Sequence, residues 1–224
     1  MSLLREIQDG ATDSTVEIST VLRKAKILAA RLKNPDFETW VDSELAGYHR
    51  DAELPSYRNV DAMAYGRFIA GNMQAKLAIP SSVLPPKLRG WGERCFFRQP
   101  IAAISVTATA AVAKEDHEIS IPWPAEMFSY AEKAYTGQCV GVWLRVSASQ
   151  LVAIVDAVRN RLLSFALAIE AENPDAGDAD IRGTPVDPQR VNHVFHTTIH
   201  GGTNNVAVGG SRFTQGAVNR CKFG

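Results

Sequence analysis

Apolar residues recur with a helical period along the first fifty positions. Leu3, Leu4 and Ile7 make one face of a short first helix that ends near Asp9-Gly10. Val21, Leu22, Ala25, Leu28, Ala29 and Leu32 then recur at i, i+3 and i+4, with Arg23, Lys24, Lys26 and Arg31 on the other face. Ser19 is the expected N-cap of this second helix. Asn34-Pro35 restarts the chain, with Asn as N-cap, Pro at the first helical position and the acids Asp36 and Glu38 in the first turn. Phe37, Trp40, Val41, Glu44 and Leu45 supply the packing face, and Gly47 is the stop signal.

The period changes after Leu54-Pro55. Tyr57 to Ile69 and Met73 to Ile79 flank the turn signal Gly71-Asn72 and predict a hairpin, whose second arm alternates cleanly and whose first does not. Pro80, Pro85 and Pro86 precede a short helix expected at Lys87 to Glu93. Ile101 to Ala113 is small and apolar, and Pro100 ahead of it favours helix over strand. Pro122-Trp123-Pro124 is read as the opening of another helix, packed through Met127, Phe128, Ala131, Ala134 and Tyr135. Val140, Val142, Leu144 and Val146 alternate and predict a strand.

The strongest pattern follows. Ser147 and Gln150 match a capping box. Leu151, Ile154, Val155, Val158, Leu162, Phe165 and Ile169 then hold one stripe, which Leu163, Ala166 and Leu167 widen. A helix apolar over so much of its girth belongs at the centre of a core. It ends at Glu172-Asn173-Pro174. Pro174, Pro185, Pro188, Gly177, Gly183 and a cluster of acids mark residues 173–190 as a linker. Beyond it, Val191 to His200 is β-branched and alternating and predicts a strand, and two Gly-Gly pairs (201–202 and 209–210) bracket a further short strand, Val206-Ala207-Val208. The expected fold class is α+β. A mainly helical body with a small antiparallel sheet occupies residues 1–172, a linker residues 173–190, and a C-terminal Gly/Asn-rich β-forming segment residues 191–224.

Composition alters this picture in one respect. The 224 residues are 46% apolar and carry no net charge, so there is no global footprint for nucleic acid, which is an unlikely partner. The balance is uneven, however. After Ile181 there are five basic residues (Arg182, Arg190, Arg212, Arg220, Lys222) and one acid (Asp187), a net +4 that the preceding residues offset with −4. Cys95, Cys139 and Cys221 are odd in number and lack CxxC spacing, which fits buried thiols in a reducing compartment. The N-terminus shows no signal-peptide pattern and no apolar run is long enough to cross a bilayer, so a cytoplasmic location without membrane association is expected.

Chemistry-bearing residues are sparse. His193, His196 and His200 are spaced H-x2-H-x3-H, but on a strand only 196 and 200 share a face, so polar strand positions are expected rather than a metal site. Stacked histidines in an oligomer would make assembly sensitive to pH below about 6.5. Asp156, Arg159, Asn160 and Arg161 on the long helix fit an exposed intrahelical ion pair better than a polar site inside the fold. Glu115-Asp116-His117-Glu118 is an acidic knot, read as a solvated loop that could alternatively hold a divalent ion. Neither Gly90-Trp91-Gly92 nor Ser147 and Ser149 lie in a phosphate-loop or nucleophile-elbow motif. No catalytic residue is assigned, and neither a cofactor nor a metal is expected.

Several islands of the chain resemble the AbiTii-domain proteins of bacterial abortive-infection systems. They include Leu4 to Asp9, Val21 to Ala25, Phe37 to Val41, Glu44 to Tyr48 and Glu53 to Arg58. Ile79-Pro80, Phe97 to Ile101, Pro122 to Pro124, Gln150 to Asp156, Val158 to Arg161 and Glu170 to Pro174 continue the likeness. The resemblance implies a role in phage defence and brings no active site with it. The Gly/Asn tail is similar to segments at the ends of other bacterial immune proteins that mediate homotypic β-assembly. Such segments order when another strand pairs with their backbone. The expected function is therefore a defence component acting through protein interaction and self-assembly. Its expected partners are further copies, a separate defence effector or a phage protein. The assembly candidates are Ile199, Gly201, Gly202, Asn204, Asn205, Val206, Val208, Gly209, Phe213 and Gln215. The competing class is a metal-dependent nuclease or nucleotide-processing enzyme, for which Glu115, Asp116 and Glu118 are the dense carboxylates.

Overall fold

A computed structural model describes residues 2–178 and 185–201. Helices α1 (Leu3–Thr12), α2 (Ile18–Leu32) and α3 (Pro35–Ala46) form the N-terminal module. Ser2 caps α1, and the Asn34 side chain caps α3 by accepting the Phe37 N–H at 2.7 Å. Ser19 does not cap α2, since Glu17 occupies that position and Ser19 is buried in the first turn. Gly47 ends α3 at φ +92°, and a Cβ there would lie 2.8 Å from the Arg98 carbonyl oxygen, so only glycine fits.

A 3-10 turn at Ser56–Arg58 leads into β1 (Asn59–Asp61), β2 (Met63–Ala70) and β3 (Met73–Ala78). The expected hairpin is present, with Tyr65 to Ala70 registered against Ala78 to Met73. Its first arm alternates poorly because the segment belongs to two ladders. β1 pairs instead with β4 (Arg94–Phe96), which follows the short helix α4 (Gly90–Glu93). Helix α5 (Ile101–Val112) starts directly after Pro100, as expected. The segment around Pro122 differs from expectation. β5 (Glu118–Pro122) ends there, and only a 3-10 turn (Ala125–Met127) and the single-turn helix α6 (Phe128–Ala131) follow.

β6 (Gln138–Ser147) lies second from one edge in a sheet of order β3-β2-β6-β5, antiparallel throughout. Cys139, Val142, Leu144 and Val146 point inward with Ala64 and Phe68 of β2. Val140 breaks the expected alternation. The register slips between Arg67 and Phe68, which face Gly141 and Cys139, so Val140 is the extra residue of a bulge and is exposed.

β6 runs straight into α7 (Ala148–Glu172), the 25-residue helix at the centre of the core. The Ser147 hydroxyl caps it by accepting the Ser149 N–H, whereas Gln150 donates to the Asp61 carbonyl, so the reciprocal half of the expected capping box does not form. Leu151, Ile154, Val158, Leu162, Phe165 and Ile169 are buried against α1, α5 and the C-terminal elements. Phe165 meets Phe37 at a ring-centroid distance of 4.1 Å. Arg159 and Arg161 do not pair with Asp156. Arg159 donates to the carbonyls of Gly10, Asp13 and Val16 and so fixes the α1–α2 connection. The final described elements are α8 (Pro188–Phe195) and a π-helical turn, His196–His200. The expected strand over Val191–His200 is thus helical. Asp187 and Pro188 start α8 as N-cap and first residue, and Val191, Val194, Phe195 and Ile199 form a helical stripe buried against the body. Tertiary burial here overrides β-propensity.

Glu44 and Arg58 join the module to the sheet region. Both side chains are 0% exposed, and Arg58 Nη2 lies 2.6 Å from Glu44 Oε2. Removing one partner strands the other charge in the core. Arg58→Met is expected to lower unfolding stability in urea by about 3–5 kcal/mol, with Glu44→Leu/Arg58→Met well short of the summed single losses. Additive losses would show that the pair is not coupled.

Candidate functional site

Glu44 lies on the apolar stripe of α3, where an acid needs a partner. The partner is Arg58, brought beneath α3 by the 3-10 turn after Pro55. Its Nε and Nη2 grip the two carboxylate oxygens at 3.1 and 2.6 Å, while Nη1 donates to the carbonyls of Phe97 and Gln99, both at 2.8 Å. Two phenols complete the carboxylate's shell: Tyr48 Oη at 2.8 Å and Tyr57 Oη at 2.7 Å donate to Glu44 Oε1. Trp40 Nε1 donates to Tyr57 Oη at 3.0 Å. Burial, reinforced by the Glu44 charge, holds both phenols far above the usual tyrosine range, so they remain protonated donors.

Above this network opens a cleft of about 610 Å³ between α3, the 48–56 loop and the end of α8. Trp40, Tyr48 and Phe195 form its aromatic walls, and Asp36, Glu53, His196 and His200 give it titratable groups. His196 and His200 are one helical turn apart, with ring centroids separated by 5.6 Å, and each ring meets Phe195 edge-on. His196 Nε2 is 3.8 Å from Asp36 Oδ2. His200 is held below the ordinary histidine range by desolvation, then by the neighbouring His196.

The cleft sits at the root of the C-terminal segment. Arg161 of α7 donates from Nε to the Ile199 carbonyl at 2.9 Å and stacks over the Tyr57 ring at 4.3 Å. One guanidinium therefore ties the π-helical turn to the Glu44 network. Ile199 is buried in the body, where it anchors the root rather than occupying a strand edge. Gly201 closes the turn by donating to the His196 carbonyl at 3.0 Å, and a Cβ there would meet the Thr197 carbonyl at 2.3 Å. Gly202, Asn204, Asn205, Val206, Val208, Gly209, Phe213 and Gln215 lie outside the described residues.

The other sequence candidates hold structural positions. Glu118 is ion-paired with Arg145, and Asp116 accepts the Glu118 N–H at 3.3 Å. His117 turns the chain with φ +47°. Cys95 and Cys139 are buried thiols, and burial pushes Cys95 up to about 11. Cys221 lies outside the described residues. Among the described residues no three His, Cys, Asp or Glu side chains are grouped to hold a metal ion, and no helix is long and apolar enough to cross a membrane. Reading the sequence did not single out Tyr48, Tyr57 or Arg58 as partners of Glu44. The available signal was an acid at the fourth position of an apolar helical stripe.

The sequence model of the AbiTii family matches residues 2–194. The chain belongs to the AbiTii family. That name marks an abortive-infection, phage-defence family. No curated protein and no solved structure matches the chain. The match covers the Glu44 network and most of α8, and it stops before the cleft histidines and the Gly/Asn segment.

The cleft generates a pH prediction. The folded pKa of His200 lies below the unfolded value of 6.5, so the unfolded chain binds the proton first. Stability is therefore full above about pH 6.5, and falls as the pH drops through 6.5 towards the depressed folded value. Amide protection at residues 196–201, taken relative to the intrinsic exchange rate at each pH, is expected to fall over that window, and His200→Asn to flatten the response. A profile unchanged by that substitution would assign the effect to another group.

Proposed function

We propose that this AbiTii protein is an abortive-infection component that acts through protein interaction, with residues 202–224 pairing with the same segment of a neighbouring copy. The observation that carries the reading is the nature of this segment. Its 23 residues include Arg212, Arg220 and Lys222 but no acid; Asn204-Asn205, Val206 and Val208 stand between the Gly-Gly pairs 201–202 and 209–210, and Phe213 follows the second pair. Such a stretch supplies amide ladders and dry β contacts when strands stack. Its point of departure supports the reading. Gly201 follows a helix locked to the body by Phe195, Ile199 and Arg161, so pairing at the segment would hold the bodies of assembled copies close together. Asn204, Asn205, Val206, Val208, Gly209, Phe213 and Gln215 are the proposed pairing residues, with Gly201 and Gly202 as the exit. In this reading the body scaffolds the defence response, and a separate effector or phage protein is the object of recruitment.

The buried α8 fixes where a truncation must fall. Removing residues 184–224 would strip Val191, Phe195 and Ile199 from the core and confound any result. A chain ending at Gly201 leaves α8 in place. By light scattering on a sizing column, the full chain is expected at a multiple of 24.4 kDa and the shortened one at a single chain mass, with phage protection lost in parallel. Equal masses and equal protection would sink the proposal.

A further inference from the structure

The outer face of the four-stranded sheet carries charges that the fold does not use. Arg67 of β2 and Lys76 of β3 are directly opposite each other in the ladder, both exposed. Like charges at facing cross-strand positions repel. Among the described residues neither side chain has a hydrogen bond or an ion pair. The third cation on this face, Arg145, is paired with Glu118 and stacked on the Tyr65 ring at 4.5 Å. Arg67 and Lys76 thus form an unneutralised pair focused on one point.

An aromatic surface lies beside that point. Gly141 faces Arg67 across the β2–β6 ladder, and the half-buried Trp143 ring lies alongside it, 3.8 Å from where a Gly141 Cβ would be. A Cβ at Gly141 would lie in van der Waals contact with the ring. Indole and guanidinium border one open groove of about 690 Å³, which also includes Lys76 and, towards β5, Asp116 and Ser120. Asp116 makes the β5 end negative, so an anionic group is directed to the Arg67–Lys76 end.

We propose that this face binds a nucleotide, with its phosphate between Arg67 and Lys76 and its base stacked on Trp143. The chemistry on each side is complementary. Two cations address a single phosphate position, and an indole face is a stacking surface that accepts any base. A nucleic-acid strand fits less well. A strand repeats its phosphates and stacks successive bases, whereas the free cations here meet at one register position and the second aromatic, Tyr65, is already covered by Arg145.

The test uses the full chain and isothermal titration with ATP at low salt, with adenosine and a ten-residue oligothymidylate as comparison probes. Saturable ATP binding is expected, together with none for adenosine at the same concentration. Arg67→Glu and Lys76→Glu should each weaken ATP at least tenfold, and Lys87→Glu, a cation away from this sheet, should not. Arg67 and Lys76 are exposed, so these variants should fold, and circular dichroism verifies that they do. Trp143→Phe, which keeps a smaller ring, should weaken ATP less than either charge reversal. Absence of ATP binding, or binding indifferent to both reversals, overturns the proposal. Oligonucleotide binding that is sensitive to the reversals without ATP binding overturns it in favour of a strand.

Discussion

Glu44 and Arg58 leave water together, and much of the fold is arranged to make that tolerable. Desolvating each ion costs several kcal/mol, and mutual attraction offsets this only when the remaining donors and acceptors are also met. Here they are. The carboxylate takes two guanidinium N–H groups and two phenols, and the spare guanidinium nitrogen takes two carbonyls. Those partners come from α3, residues 48–58 and residues 97–99, which the sequence separates by up to 55 positions. A buried pair of this kind is weak support for stability in itself. Its effect is selective: any arrangement that moves the 56–58 turn away from α3 leaves a bare charge in the core.

That selection reaches the C-terminus through one further residue. Arg161 rests on Tyr57, a donor to Glu44, and holds the carbonyl of Ile199. The π-helical turn is the kind of irregularity that needs outside support. It receives the Arg161 contact on one side and, at its end, Gly201, where a Cβ would strike the Thr197 carbonyl. The cleft histidines sit on this supported turn. Desolvation and the neighbouring His196 disfavour the charged form of His200, so the root of the segment is strongest when His200 is neutral.

The helices were legible in the sequence to the extent that their information is local. Asn34-Pro35, Gly47, Pro100 and the stripe from Leu151 to Ile169 are caps, stops and periodicities, and each marks the element it promised. Failures fell where distant partners decide. Val191 to His200 alternates like a strand, but Val191, Val194, Phe195 and Ile199 also share a helical face, and the body of the fold offers an apolar surface for that face. Val140 lost its inward position to a bulge, which depends on the register between two strands. Arg159 suggested a local ion pair with Asp156, yet it and Arg161 found carbonyls contributed by other parts of the chain. Glu44 was the one site residue the pattern could have exposed, as an acid amid Phe37, Trp40 and Val41, but Arg58 had no signal of its own.

Zero net charge illustrates the same limit. Counted along the sequence, 24 basic and 24 acidic residues give no reason to expect an anionic ligand. Counted on surfaces, the charges do not cancel where they stand. Glu44 cancels Arg58 inside the core, and Glu118 cancels Arg145 on the sheet. Each acid consumed in this way is unavailable to a cation elsewhere, and the Arg67–Lys76 pair is left facing solvent with a register that holds the two together. Their closeness arises from a hairpin turn at Gly71, and their aromatic neighbour from a glycine in the adjacent strand. Binding chemistry on this face is therefore a property of strand register, and it comes into view only once the ladder pairs are known.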